Sequence, residues 1–112
     1  MKKLIPVAAA VVPMLASSAV SGEVPTSRFN ELKINCDTCH GVGGHSPTPD
    51  QTPSLAGKSE KYLLDRLKAF EAGLRRHQTM SLFGVSMTDE EKKAIARYYS
   101  RGGKEGGKGR KN

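Results

Sequence analysis

Apolar and polar positions alternate along this chain with a helical period in three places and with no period in between. From Ser59 to about Gly73, Tyr62, Leu63, Leu67, Phe70 and Leu74 fall on one stripe, while Lys61, Asp65, Lys68 and Glu71 face away. Ser59 suits an N-cap, and Glu60 places negative charge in the first turn. A second periodic segment begins at Thr88, where Thr88-x-x-Glu91 has the form of a capping box. Ala94, Ile95, Tyr98 and Tyr99 form its apolar stripe, and Gly102 with Gly103 ends it. A third helix starts at Pro25-Thr26-Ser27, with Thr26 or Ser27 as cap, and carries Phe29, Leu32 and Ile34 toward Cys36. From Gly41 to Gly57, rich in Gly and Pro, neither a helical nor a strand period is present. So long a loop inside a small domain needs a role of its own. No alternation of β-branched residues follows position 24 and no internal repeat is visible, so the expected class is all-α.

The N-terminus obeys a different rule. Lys2 and Lys3 precede an apolar run from Leu4 to Ala16, broken only by Pro6 and Pro13, and small residues follow from Ser17 to Gly22. That order describes a secretory signal peptide. An uncleaved anchor is the alternative, but the run falls short of the ~20 apolar residues that a span requires. Ala19, Ser21 and Gly22 each suit cleavage. The expected layout is a signal peptide over 1–22, a domain over 23–100 and a basic tail over 101–112, with export to the periplasm.

Composition narrows the function. The 112 residues are 37% hydrophobic and 5% aromatic, without Trp. One small domain is the expectation; a two-domain enzyme or a large sheet is excluded. The net charge of +7 is unevenly placed. Residues 20–100 hold eleven basic and ten acidic side chains, whereas Arg101, Lys104, Lys108, Arg110 and Lys111 face only Glu105 in the tail. Rich in glycine and without an apolar residue, that tail is expected to be disordered. Nucleic acid is not an expected partner, since the tail lacks aromatics for stacking, and membrane contact is at most peripheral.

A small exported domain with few apolar residues needs a stabilising device. Cys36 and Cys39 are the only cysteines, and a bridge between them would close too short a loop to help much. The next residue is His40, and Cys-x-x-Cys-His is the attachment signature of a c-type haem. Two thiols about one turn apart meet two vinyl groups, and the following histidine is carried over the ring plane as an iron ligand. A thioredoxin-like redox pair would bring a βαβ pattern, which is missing. A zinc site needs about four ligands, and only His45 and His77 remain to help. The device is therefore expected to be one covalent haem c.

The second axial group decides between carrier and enzyme. His45 is too close to His40 to reach the opposite face. His77, beside Arg75 and Arg76, reads as a surface residue. Met87 is in phase with Ile95 and reads as packing. Met80 falls in an irregular stretch between helices, where a loop can present sulfur, and is favoured over Met87.

In four segments the chain resembles class I c-type cytochromes, notably single-haem cytochromes of the c-554 kind, the domains of cytochrome c4 and the haem subunit of flavocytochrome c sulfide dehydrogenase. These are Cys36–Gly41, Pro53–Gly57, Tyr62 to Gly73, and Met80 to Tyr99. The resemblance spans roughly residues 26–100, and the stretch from Gly43 to Thr52 departs from it. It implies a small class I cytochrome c fold, with three or more helices wrapped around the haem. It further implies thioethers at Cys36 and Cys39, axial ligation by His40 and Met80, a Pro53 carbonyl accepting the imidazole proton, and Leu55 packed on the haem. Such a protein is a one-electron carrier, not an enzyme; the alternative is the haem subunit of a larger oxidoreductase. Its partners would be redox proteins, such as a flavoprotein or a terminal oxidase or reductase.

Overall fold

A computed structural model describes residues 23–104; the expected signal peptide and most of the tail lie outside them. Four α-helices and no strand occur among the described residues: α1 (Thr26–His40), α2 (Glu60–Glu71), α3 (Gln78–Ser86) and α4 (Asp89–Ser100), with a 3-10 turn at Val42–Gly44 after α1.

Local chemistry accounts for most boundaries. The Ser59 side chain accepts from the Tyr62 amide and starts α2. Thr88 and Glu91 complete a reciprocal capping box at the start of α4, which satisfies two otherwise unpaired donors. Gly102 and Gly103, both at positive φ, close the end of α4 on the carbonyls of Tyr99 and Tyr98. Pro25 occupies the N-cap of α1 without a side-chain bond, so neither Thr26 nor Ser27 plays the expected role. The other departure is α3: the segment expected to be irregular is helical, and Met80 lies within it. Its start is made by His77, whose Nδ1 accepts from the amides of Thr79 and Met80, both at 3.2 Å. Histidine is not among the common capping residues, which is why the start was not evident from sequence.

The core is Leu32, Leu63, Met87, Ile95, Ala96 and Tyr99, with Phe29, Leu55, Leu67 and Phe83 packed partly buried against it. α1 and α4 meet through aromatic side chains: Phe29 of α1 and Tyr98 of α4 pack edge-to-face at 5.3 Å, and within α4 Tyr98 packs edge-to-face on Tyr99 at 4.8 Å. Ile34 is 62% exposed, contrary to its expected apolar role, because it falls between Leu32 and Cys36 on the outward side of α1. Leu74 is exposed in the turn after α2. Lys92 was not expected in the core, yet it is fully buried.

The loop from Gly41 to Gly57 folds back on itself. The Gly44 carbonyl accepts from the amides of Leu55 (2.8 Å) and Ala56 (3.1 Å), and the Ser46 amide donates to Ser54 Oγ at 2.9 Å. These bonds carry Pro53 to the end of α1. Gly41, at φ 88°, makes the turn immediately after His40; a Cβ there would collide with the His45 carbonyl.

Candidate functional site

The last turn of α1 opens onto a cavity of about 320 Å³, within the size range of cofactor sites. Cys36, Cys39, His40, Pro53, Leu55 and Met80 all line it, so every candidate site residue is brought to one place. The α2 stripe supplies an apolar wall through Tyr62, Leu63, Leu67 and Phe70. That explains why Tyr62, on the expected inner stripe, is 41% exposed: it faces the cavity. Met87 also lines it but is 4% exposed and belongs to the core cluster. His77 reaches the cavity as well, held by its capping bonds. His45 is not part of the lining.

His40 is buried, and its Nδ1 stands 2.7 Å from the Pro53 carbonyl. A carbonyl oxygen can only accept, so Nδ1 carries a proton and donates it. The bond orients the ring and raises its basicity as a ligand. The two thiols form no disulfide. Burial, with the Asp37 carboxylate adding to it, pushes the Cys36 thiol up to about 11, against the opposing hydrogen bond of Tyr99. A neutral sulfur suits that environment. The Tyr99 hydroxyl donates to Asp37 Oδ1 at 2.6 Å, with the Lys33 carbonyl also in range at 3.1 Å. Burial first, and the Asp37 bond second, raise the pKa of that phenol. Tyr99 therefore ties α4 to the motif-bearing turn of α1.

One feature of the lining was not expected from the balanced charge of residues 20–100. Lys58, Arg66, Arg75 and Arg76 line the cavity, and no described carboxylate does. None of the four forms an ion pair among the described residues. Arg66 lies over the Tyr62 ring at 4.9 Å, and Arg75 over the Phe70 ring at 5.0 Å. The Arg75-Arg76-His77 run close before Met80 was the available signal. The alternatives for the cysteine pair find no support in the arrangement. No strand accompanies them, and no group of three or more His, Cys, Asp or Glu able to hold a metal ion occurs among the described residues.

This all-α arrangement, with a Cys-x-x-Cys-His turn facing an apolar cavity, is matched by a family model. The cytochrome c model covers residues 29–101, and the chain belongs to the cytochrome c family. It is similar to the thiosulfate dehydrogenase electron acceptor of Thiomonas intermedia (strain K12), 37% identical over 67 residues, 60% of this chain and 31% of that protein. Cytochrome c4 of Pseudomonas aeruginosa is 35% identical over 65 residues, 58% of this chain and 32% of the relative. The cytochrome subunit of sulfide dehydrogenase from Chlorobaculum tepidum is 36% identical over 76 residues, 68% of this chain and 67% of the relative. The aligned part thus spans about a third of the first two relatives and two thirds of the third.

The role of the family is electron transfer, not catalysis, and its cofactor is covalently bound haem c. The residues present fit that group. Two unbridged thiols stand beside a histidine whose Nδ1 is engaged by a carbonyl, so that Nε2 is the nitrogen that would hold the group. The wall is apolar, and the lining cations match the two carboxylates that a haem carries. No helix among the described residues is long and apolar enough to cross a membrane.

Proposed function

We propose that this protein is a periplasmic one-electron carrier with a single haem held by thioethers at Cys36 and Cys39 and by axial His40 and Met80. When bound, the haem supplies a one-electron ferric–ferrous couple. The Nδ1–Pro53 bond, which supports this reading most directly, holds the imidazole in one tautomer and one orientation. The thioether of Met80 is soft, and a soft sulfur ligand raises the potential. Were His40 and Met80 both to hold the group, no position on it would be left for a substrate. Leu55, Leu63, Leu67 and Phe83 give the cavity an apolar wall, and burial against it would raise the potential of the bound group further. Lys58, Arg66, Arg75 and Arg76, which line the cavity, would neutralise the carboxylates of the bound group.

The proposal extends to the layout: residues 1–22 a cleaved leader, 23–100 the haem domain, and 101–112 a basic tail. The partners are redox proteins that meet it in small, weak encounters. A second reading, a haem subunit of a larger oxidoreductase such as a flavoprotein complex, is favoured by the two-thirds coverage of the sulfide dehydrogenase subunit. Co-purification with a flavin-bearing chain separates the two readings.

The test is optical and mass spectrometry of the exported protein with its Met80→Ala and Met87→Ala variants. The expected mass is the leaderless chain plus one haem. Met80→Ala is expected to abolish the ferric sulfur-to-iron charge-transfer band, lower the potential and admit exogenous ligands. Loss of the band in Met87→Ala but not in Met80→Ala would overturn the axial assignment, and a colourless product with two free thiols would overturn the whole reading.

A further inference from the structure

The helix that carries Met80 has one neighbour. α3 packs on α2 and on no other helix among the described residues, so its position depends on how firmly it is held there. At the crossing, Gly84 lets the backbones approach: a Cβ on it would lie 2.7 Å from the Glu71 amide nitrogen and 2.9 Å from Phe70 Cβ. At the exit from α3 the hold comes from a third element. Lys92, on α4, is 0% exposed. Its Nζ donates to the Met87 carbonyl at 2.7 Å and stands 3.0 Å from Glu71 Oε1.

Those two acceptors sit at particular places. Glu71 is the last residue of α2, and Met87 directly follows α3, its amide closing the final turn on the Phe83 carbonyl. One ammonium therefore ties the end of α2 to the end of α3. Burying a charge is expensive even when it is paired, and a well-packed apolar side chain often stabilises a fold as well as a buried ion pair or better. Packing alone therefore does not account for a lysine here. A fixed relation between two helix ends does, because Lys92 bonds the backbone carbonyl of Met87 at one and the side-chain carboxylate of Glu71 at the other.

We propose that Lys92 is a positioning residue: it fixes the angle of α3 on α2 and thereby holds the Met80 sulfur at its station in the cavity. This rests on Met80 as the axial ligand. With Lys92 replaced by an apolar residue, the Met87 carbonyl loses its donor, the end of α3 is released, and the Met80 sulfur yields more readily to a competing ligand.

The experiment uses the full haem-loaded chain in its ferric form, titrated with imidazole while the sulfur-to-iron charge-transfer band is followed. Lys92→Met is expected to bind imidazole at least ten times more tightly than the unaltered protein, with a weakened band. Glu71→Gln is expected to do so several-fold, and Lys92→Arg, which keeps charge and donors, to restore most of the band. Arg28→Gln, which breaks the bond between α1 and Glu91, the neighbour of Lys92 on α4, and leaves both Lys92 bonds intact, controls for general loosening and is expected to leave imidazole affinity unchanged. Wild-type band and affinity in Lys92→Met would overturn the inference. So would a gain in Arg28→Gln equal to that in Lys92→Met. If Lys92→Met does not fold, Glu71→Gln decides, and an unchanged affinity there is equally fatal. Met80→Ala in the same series separates the two proposals: persistence of the band in that variant rejects the axial assignment, whereas its loss there beside an unaltered Lys92→Met rejects the role of Lys92 alone.

Discussion

His40 and Pro53 are thirteen positions apart across a Gly/Pro-rich loop, yet the imidazole Nδ1 lies 2.7 Å from the proline carbonyl. Nothing local brings them together. The loop returns because Gly44 accepts two amides from the segment after Pro53 and because Ser54 receives the Ser46 amide. A segment that reads as punctuation is thus the device that orients the His40 ring.

The Nδ1 proton of His40 is therefore expected to exchange slowly with solvent. Nitrogen-15 NMR of the haem-loaded ferrous protein should show a single Nδ1–H resonance protected well beyond that of an exposed histidine, His45 serving as the internal comparison. Rapid exchange at His40 would mean that the carbonyl bond does not persist in solution.

Gly84 marks a close approach of α2 and α3. Alanine there is expected to destabilise the fold by about 1–3 kcal/mol, the usual effect of overpacking, because the atoms it meets include the Glu71 amide nitrogen as well as the Phe70 side chain. Chemical denaturation of the haem-loaded protein measures this. A midpoint equal to wild type would show that the helices separate without penalty.

Acid should loosen the contact between α1 and α4 by a defined route. Arg28 Nε donates to Glu91 Oε2 at 2.8 Å. That hydrogen bond, more than the Thr88 amide or the neighbouring charges, holds the Glu91 carboxyl below the usual carboxylate range. A group with a depressed folded-state pKa contributes stability that is fully present above its unfolded value and is lost as pH falls through the folded one. Stability is therefore expected to decline from about pH 5 downward, and Glu91→Gln should be less stable at neutral pH with a shallower acid dependence. Parallel wild-type and Glu91→Gln profiles would show that the bond contributes nothing.

What the chain alone determined was whatever depends on neighbours in sequence. The Cys36-to-His40 spacing, the Ser59 and Thr88 caps and the stripes of α2 and α4 are consequences of helical period and local donors, and each is legible one turn at a time. Lys92 was legible in principle, since it continues the buried positions Ile95, Ala96 and Tyr99 one turn earlier, but a lysine on that phase looks like a solvated charge. Only the tertiary structure decided where the loop carries Pro53, that four scattered cations share one lining without a carboxylate, that His77 can start a helix, and that a buried ammonium joins the ends of α2 and α3. The physical reason is common to all four: each depends on groups that meet only after the helices have packed, and neither periodicity nor propensity carries information about distance between elements.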